Sequence, residues 1–135
     1  MAAYNKFNAW AEYLTEGANI GSDQFVVALT NSAPVATNSL LADITQITYT
    51  NLSSRNITTT SATHTAGTQR IILQDLTLTA SGGSVGPFRY VVIYDDTVAS
   101  DPLVAWYDYG SSITLADTET LLIDFDGSGG FFTVA

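Results

Sequence analysis

The sequence predicts a mostly β protein: an antiparallel β-sandwich or jelly-roll-like domain with a short N-terminal α-helix. Short apolar or alternating segments recur at a spacing of roughly 8–12 residues, turn signals separate them, and β-branched and aromatic residues dominate them. A chain of 135 residues suits one domain. We therefore expect an N-terminal helix in residues 1–17 and a single β-sandwich in residues 18–135.

The first element predicted is a helix over residues 2–16. Phe7, Trp10 or Ala11, and Leu14 recur at helical spacing, and Gly17 suits the stop position after the last turn. An amphipathic helix of this kind either docks on the sheet of its own domain or projects from it and binds a neighbouring molecule.

The remaining elements are predicted to be strands, apart from one short helical turn at residues 38–44. Residues 87–95 are apolar on both faces, which indicates a central strand covered on both sides. The polar, Thr-rich residues 51–68 are either a long exposed loop or a pair of edge strands. We expect strands at residues 24–30, 46–50, 70–80, 87–95, 103–109, 113–115, 119–126 and 131–135.

Composition and charge exclude several classes of function. The formal net charge is −9, and the only cations are Lys6, Arg55, Arg70 and Arg89. Four scattered cations cannot neutralise a run of phosphates, so we expect neither nucleic-acid binding nor a polybasic membrane anchor. No apolar run is long enough for a transmembrane helix, and the first residues do not resemble a signal peptide, so we expect synthesis and use in a cytoplasm.

One motif resembles a metal site. Asp124, Asp126 and Ser128 occupy the first, third and fifth positions of an EF-hand-like calcium loop, and Gly129 occupies the sixth. The twelfth position, where a bidentate Glu belongs, is Ala135. The alternative is a hairpin turn whose Asp and Ser side chains bond the local backbone. We treat the three residues as a weak cation candidate and expect no cofactor.

Nothing in the sequence predicts catalysis. His64 is the only histidine, the chain has no cysteine, and no nucleophile elbow is present. We therefore expect a protein that is not an enzyme. Trp106 and its neighbouring tyrosines suit core packing, an interface, or the stacking of sugars by a carbohydrate-binding module.

Several segments together resemble small structural proteins of tailed-bacteriophage virions, some of which are head decoration or cement proteins. The resemblance covers most of the chain and implies no catalytic residues. It is carried by the aromatic N-terminal segment that ends at Gly17, by QFVVALTN at 24–31 with AP at 33–34, by LADIT at 41–45, by TASGGSVGPFRY at 79–90, by WYDYG at 106–110 and by DFDG at 124–127.

The resemblance implies a capsid decoration protein on the virion surface, assembled in the host cytoplasm. Its expected partners are the major capsid protein and further copies of itself, as a homodimer or homotrimer. A tail or baseplate component is the alternative within the virion, and a carbohydrate-binding module is a more distant one. The candidate interface residues are Tyr4, Phe7, Trp10, Arg55 and His64.

Overall fold

The computed structural model describes residues 2–135 and has the predicted fold class, with 48% of residues in strands and 7% in helices. The described residues contain one α-helix, α1 at Trp10–Glu16, and one 3₁₀ helix at Leu41–Asp43. The strands are β1 Ala3–Lys6, β2 Phe25–Thr30, β3 Asn56–Ile57, β4 Thr59–Thr65, β5 Thr68–Leu73, β6 Leu76–Thr79, β7 Val85–Asp95, β8 Leu103–Leu115, β9 Thr120–Ile123 and β10 Phe132–Val134.

The largest sheet is antiparallel and has the strand order β1-β8-β7-β2-β3. Its centre is formed by β2 and β7, which pair without interruption from Phe25 opposite Asp95 to Thr30 opposite Tyr90. Both strands are rich in Val and Ile, whose branched side chains suit a pleated surface that is covered on both sides.

Two smaller sheets cover one face of the large sheet and enclose the main core. Their strand orders are β10-β5-β4 and β6-β9. Side chains of the large sheet, such as Phe25 and Ile93, belong to one cluster with Ile71 of β5 and Leu78 of β6. This layered antiparallel arrangement is consistent with the predicted β-sandwich.

A second, smaller core covers the opposite face of the large sheet. Its members are Phe7, Val26, Ala28, Ile44, Val92, Tyr94 and Leu103, with Leu41 and Trp106 packed against them. Ile44 and Leu41 come from the segment that contains the 3₁₀ helix, so a loop serves as the covering layer here. The prediction of a central strand buried on both faces at residues 87–95 is thereby confirmed.

The prediction of one helix over residues 2–16, within an N-terminal unit at 1–17, is wrong for the first part of that range. Met1 lies outside the described residues. Ala3–Lys6 forms an edge strand that pairs with β8, and only Trp10–Glu16 is helical. The physical reason is that β8 offers an open hydrogen-bonding edge, which the backbone of β1 satisfies. The stop at Gly17 is confirmed, because its N–H donates to the Tyr13 carbonyl.

The Thr-rich residues 51–68 form edge strands, the second of the two predicted alternatives. β4 and β5 pair as a hairpin, and β4 is an outer strand of its sheet. Ala66 and Gly67 make the turn with φ of 51° and 82°. Two successive positive φ values are those of the two-residue turn that matches the twist of paired strands.

Three other strand predictions differ from the structure. Residues 46–50 form no strand ladder, because only Ile47 N–H and the Tyr49 hydroxyl reach Leu29. The predicted strand at 70–80 divides into β5 and β6, which belong to different sheets. The predicted turn after residue 109 is absent, since β8 continues through Gly110, which has φ of 85°.

Candidate interaction surface

Two of the predicted interface residues lie inside the protein. Phe7 has no exposed surface, and Trp10 is 2% exposed. The Phe7 ring packs on Trp106 with 4.6 Å between centroids, and the Trp10 ring meets Phe25 edge-on at 6.3 Å. The aromatic spacing that suggested a helix bound to a neighbouring molecule is therefore explained by internal packing. Neither side chain is available to a partner in this structure.

Arg55 is half-buried and its polar atoms serve the fold. Its Nη1 donates to the Val27 carbonyl at 2.6 Å, and its guanidinium lies 3.8 Å from the centroid of the Tyr49 ring. A cation over an aromatic face at this distance stabilises both side chains. Arg55 thus ties residues 49–55 to β2.

His64 and Tyr4 are the predicted interface residues that remain exposed. His64 lies on β4 beside the hairpin turn, opposite Gln69, and its neighbours Thr63 and Thr65 are also exposed. Tyr4 lies on β1 and is 41% exposed. The structure does not bring the two residues together, because they belong to different sheets.

The cation candidate at residues 124–129 has the local hydrogen bonds of a turn. Asp126 Oδ1 accepts from the Ser128 and Gly129 N–H groups at 2.9 and 2.8 Å and from Ser128 Oγ at 3.1 Å. These hydrogen bonds lower the pKa of Asp126, with the bond from Gly129 contributing most. Within residues 2–135 no three His, Asp or Glu side chains are arranged to hold a metal ion.

A pocket of about 210 Å³ lies beside this turn, and we call it the aromatic–carboxylate pocket. Its neighbour, a smaller cavity of about 100 Å³, shares Tyr107 and Asp124 with it and adds Tyr109 and Leu122. Leu122 is 54% exposed, so an apolar rim adjoins the site. The aromatic–carboxylate pocket is lined by Tyr4, Tyr107, Asp124, Asp126, Gly130 and Phe131.

Strand register brings these residues together. Tyr4 of β1 lies directly opposite Tyr107 of β8. The chain after β9 is held in place by two hydrogen bonds: Phe125 N–H donates to Asp75 Oδ1 at 2.9 Å, and Phe131 N–H donates to the Ile71 carbonyl. Both partners belong to the layer opposite Tyr107, so residues 124–131 close one side of the pocket.

The tyrosines of the two cavities stay neutral because they are partly buried. Burial raises the pKa of Tyr4 to about 12 and raises the pKa of Tyr107 and of Tyr109. The nearby Asp124 carboxylate also raises the pKa of Tyr107 and Tyr109, after burial as the main cause. Neutral phenols beside a carboxylate can bind polar or cationic groups but supply no nucleophile.

A buried carboxyl pair elsewhere in the molecule was not anticipated from the sequence. Asp95 has no exposed surface, and Asp23 is 8% exposed. Asp95 Oδ1 accepts from Thr97 N–H at 3.0 Å, whereas its Oδ2 has no hydrogen-bond donor among the described residues. Burial, with the neighbouring Asp23 carboxyl as a further cause, raises the pKa of Asp95 to about 7. Asp95 therefore keeps its proton in the folded state at pH values where an exposed aspartate has lost it.

No protein family, no curated protein and no solved structure matches the chain. Among the helices within residues 2–135, none combines the length and the apolar character needed to cross a membrane. The resemblance to phage virion proteins therefore stays a prediction, and the surfaces described above are the basis for a functional proposal.

Proposed function

We propose that this protein is a structural component of a tailed-bacteriophage virion, a head decoration protein that binds the major capsid protein and stabilises the shell. The proposal also includes self-association as a dimer or trimer, and a place on the capsid surface after assembly in the host cytoplasm. Its chemistry is that of binding: neutral phenols, hydroxyls and strand edges, with no role for bond-making side chains.

The observation that carries this proposal is the outer strand β4. Its sequence is Thr-Thr-Ser-Ala-Thr-His-Thr, which carries no formal charge when His64 is neutral. Most of its residues are exposed or half-exposed. An outer strand presents unpaired backbone donors and acceptors, and it can add to a strand or a loop of another chain. Many proteins block such edges with Lys or Pro, and β4 has neither.

The location is tested by immunogold electron microscopy of purified phage particles, with an antibody raised against this protein. Labelling distributed over the head, at a copy number comparable to that of the major capsid protein, supports the proposal. Labelling confined to the tail or baseplate would replace it with the tail-component alternative, and intact particles without label would refute a virion role.

A charge on the β4 edge is expected to abolish docking without unfolding the domain. Ser61 and Thr63 lie on one side of β4, with 3.4 Å between their hydroxyl oxygens. We expect the double variant Ser61→Lys, Thr63→Lys to occupy particles at least about tenfold less, because a charged edge resists strand addition. Occupancy is measured by adding purified protein to particles that lack it.

A matched control carries the same added charge away from the edge. Ala99 and Ala116 are exposed and lie in turns outside the strands. The double variant Ala99→Lys, Ala116→Lys should occupy particles as the unmodified protein does. Equal occupancy by the β4 variant and by this control would show that β4 is not the docking edge.

A further inference from the structure

We propose that the aromatic–carboxylate pocket binds the guanidinium group of an arginine side chain presented by a partner protein. The assignment of the arginine to a partner protein rests on the proposed binding role. The affinity of the pocket for a guanidinium group rests only on the geometry of the pocket itself.

The pocket has aromatic walls that meet at steep angles. The Tyr4 and Phe131 rings stand 86° apart with centroids at 5.6 Å, and the Tyr4 and Tyr107 rings stand 67° apart with centroids at 5.8 Å. These edge-to-face contacts hold the Tyr4 ring in place while leaving 41% of Tyr4 exposed. A cation within about 6 Å of such a ring is attracted by the negative charge of its face.

Two carboxylates give the pocket a negative charge. Asp126 uses Oδ1 for its own turn, so Oδ2 remains for a ligand. Asp124 is exposed, and no cation within residues 2–135 forms an ion pair with it. By contrast, Asp108 is neutralised by Arg89, whose Nε and Nη2 donate to its two oxygens at 2.8 and 3.1 Å. Within residues 2–135, Asp124 and Asp126 thus keep negative charges that no cation of the chain neutralises.

The shape of the pocket favours a narrow cationic head over a sugar. Tyr107 is 7% exposed and Phe131 is 6% exposed, so neither offers the broad open face on which a sugar ring stacks. A guanidinium is flat and narrow enough to contact the Tyr4 ring, which is 41% exposed, while it donates up to five N–H groups to carboxylate and phenol oxygens. An ammonium group presents a compact, strongly hydrated charge and fits this arrangement less well.

The test is a titration of the full chain with N-acetyl-arginine amide, followed by NMR through the backbone amide signals of Gly129 and Gly130. We expect saturable shifts at these residues. N-acetyl-citrulline amide has the same shape without the charge, and we expect it to bind at least about tenfold more weakly. N-acetyl-lysine amide should also bind more weakly than the arginine probe.

Two variants separate the pocket from the general negative charge of the chain. Asp124→Asn keeps the size of an exposed side chain and should weaken arginine binding by about tenfold. Asp96→Asn removes an exposed acid outside the pocket and should leave binding unchanged. Tyr4→Phe keeps the ring and should retain most of the affinity, which checks that the phenol hydroxyl contributes little.

The proposal is overturned if the arginine probe produces no saturable shift, if citrulline binds equally well, or if lysine binds as tightly as arginine. It is also overturned if Asp96→Asn weakens binding as much as Asp124→Asn. Because this titration needs no phage particle, its failure would leave the virion proposal standing. A negative immunogold result would in turn leave the guanidinium site standing.

Discussion

Replacing Asp95 by asparagine is expected to stabilise the fold by on the order of 2–3 kcal/mol at pH 8 and to change little at pH 4. An amide keeps an oxygen for the Thr97 N–H and carries no charge at any of these pH values. The pKa of Asp95 is raised to about 7 in the folded state from an ordinary value of 3.8. Between these two pKa values, Asp95 therefore holds a proton in the folded protein that it has already released in the unfolded chain.

The sign of the pH dependence follows from that proton. The contribution of this pair is greatest below pH 4 and is lost as the pH rises through about 7. Above that pH, Asp95 is a buried carboxylate beside Asp23, and no cation within residues 2–135 pairs with it. The asparagine variant cannot ionise there, so its advantage over the unmodified protein should grow from pH 4 to pH 8.

The measurement is urea unfolding of both proteins at several pH values. Asp23→Asn should show the same trend, because it removes the other member of the pair. Asp96→Asn, which changes an exposed neighbour, should not show it. A difference between Asp95→Asn and the unmodified protein that stays constant from pH 4 to pH 8 would contradict a proton retained by Asp95 in the folded state.

Replacing Phe7 by alanine is expected to cost about 3–5 kcal/mol of unfolding free energy, the usual range for a buried phenylalanine. Phe7 has no exposed surface and packs on Trp106 in the core beneath the 3₁₀ segment. The loss combines the hydrophobic transfer of the ring with a cavity between β2, β8 and Ile44. A docking residue would instead leave the stability of the isolated protein unchanged.

Denaturant unfolding of the isolated protein measures this loss. Val35→Ala is the matched control, since Val35 is 53% exposed and its truncation should change stability by no more than about 0.5 kcal/mol. A Phe7→Ala variant that unfolds at the same urea concentration as the control would rule out the second core. Deleting residues 1–16 is a poor test of docking, because it removes β1 together with Phe7 and Trp10.

Local patterns predicted the elements whose signal lies in their own sequence. The apolar run of β7 indicated burial on both faces, and the Thr-rich stretch allowed the outer hairpin that the structure contains. Gly17 marked the end of α1 because a helix stop depends on the residue itself. In each case the signal is contained in the segment's own residues.

Elements whose partner is distant in the sequence were not predictable in this way. The aromatic spacing of residues 7–14 fits a helix, but the preceding residues 3–6 are extended because β8 provides the partner strand. The aromatic–carboxylate pocket could not be predicted for the same reason. Tyr107 and Asp124 were visible as separate features, yet their meeting depends on the register of β1 with β8 and on the anchoring of residues 124–131.

The pairing of β1 with β8 has a consequence for folding during synthesis. Ala3 is opposite Asp108, so β1 leaves the ribosome well before β8, the strand with which it pairs. Until Leu103–Leu115 has been synthesised, Phe7 and Trp10 have no complete core to pack against. Their side chains stay exposed to water and to other nascent chains. We therefore expect slow, late closure of the domain and a need for chaperone protection during synthesis.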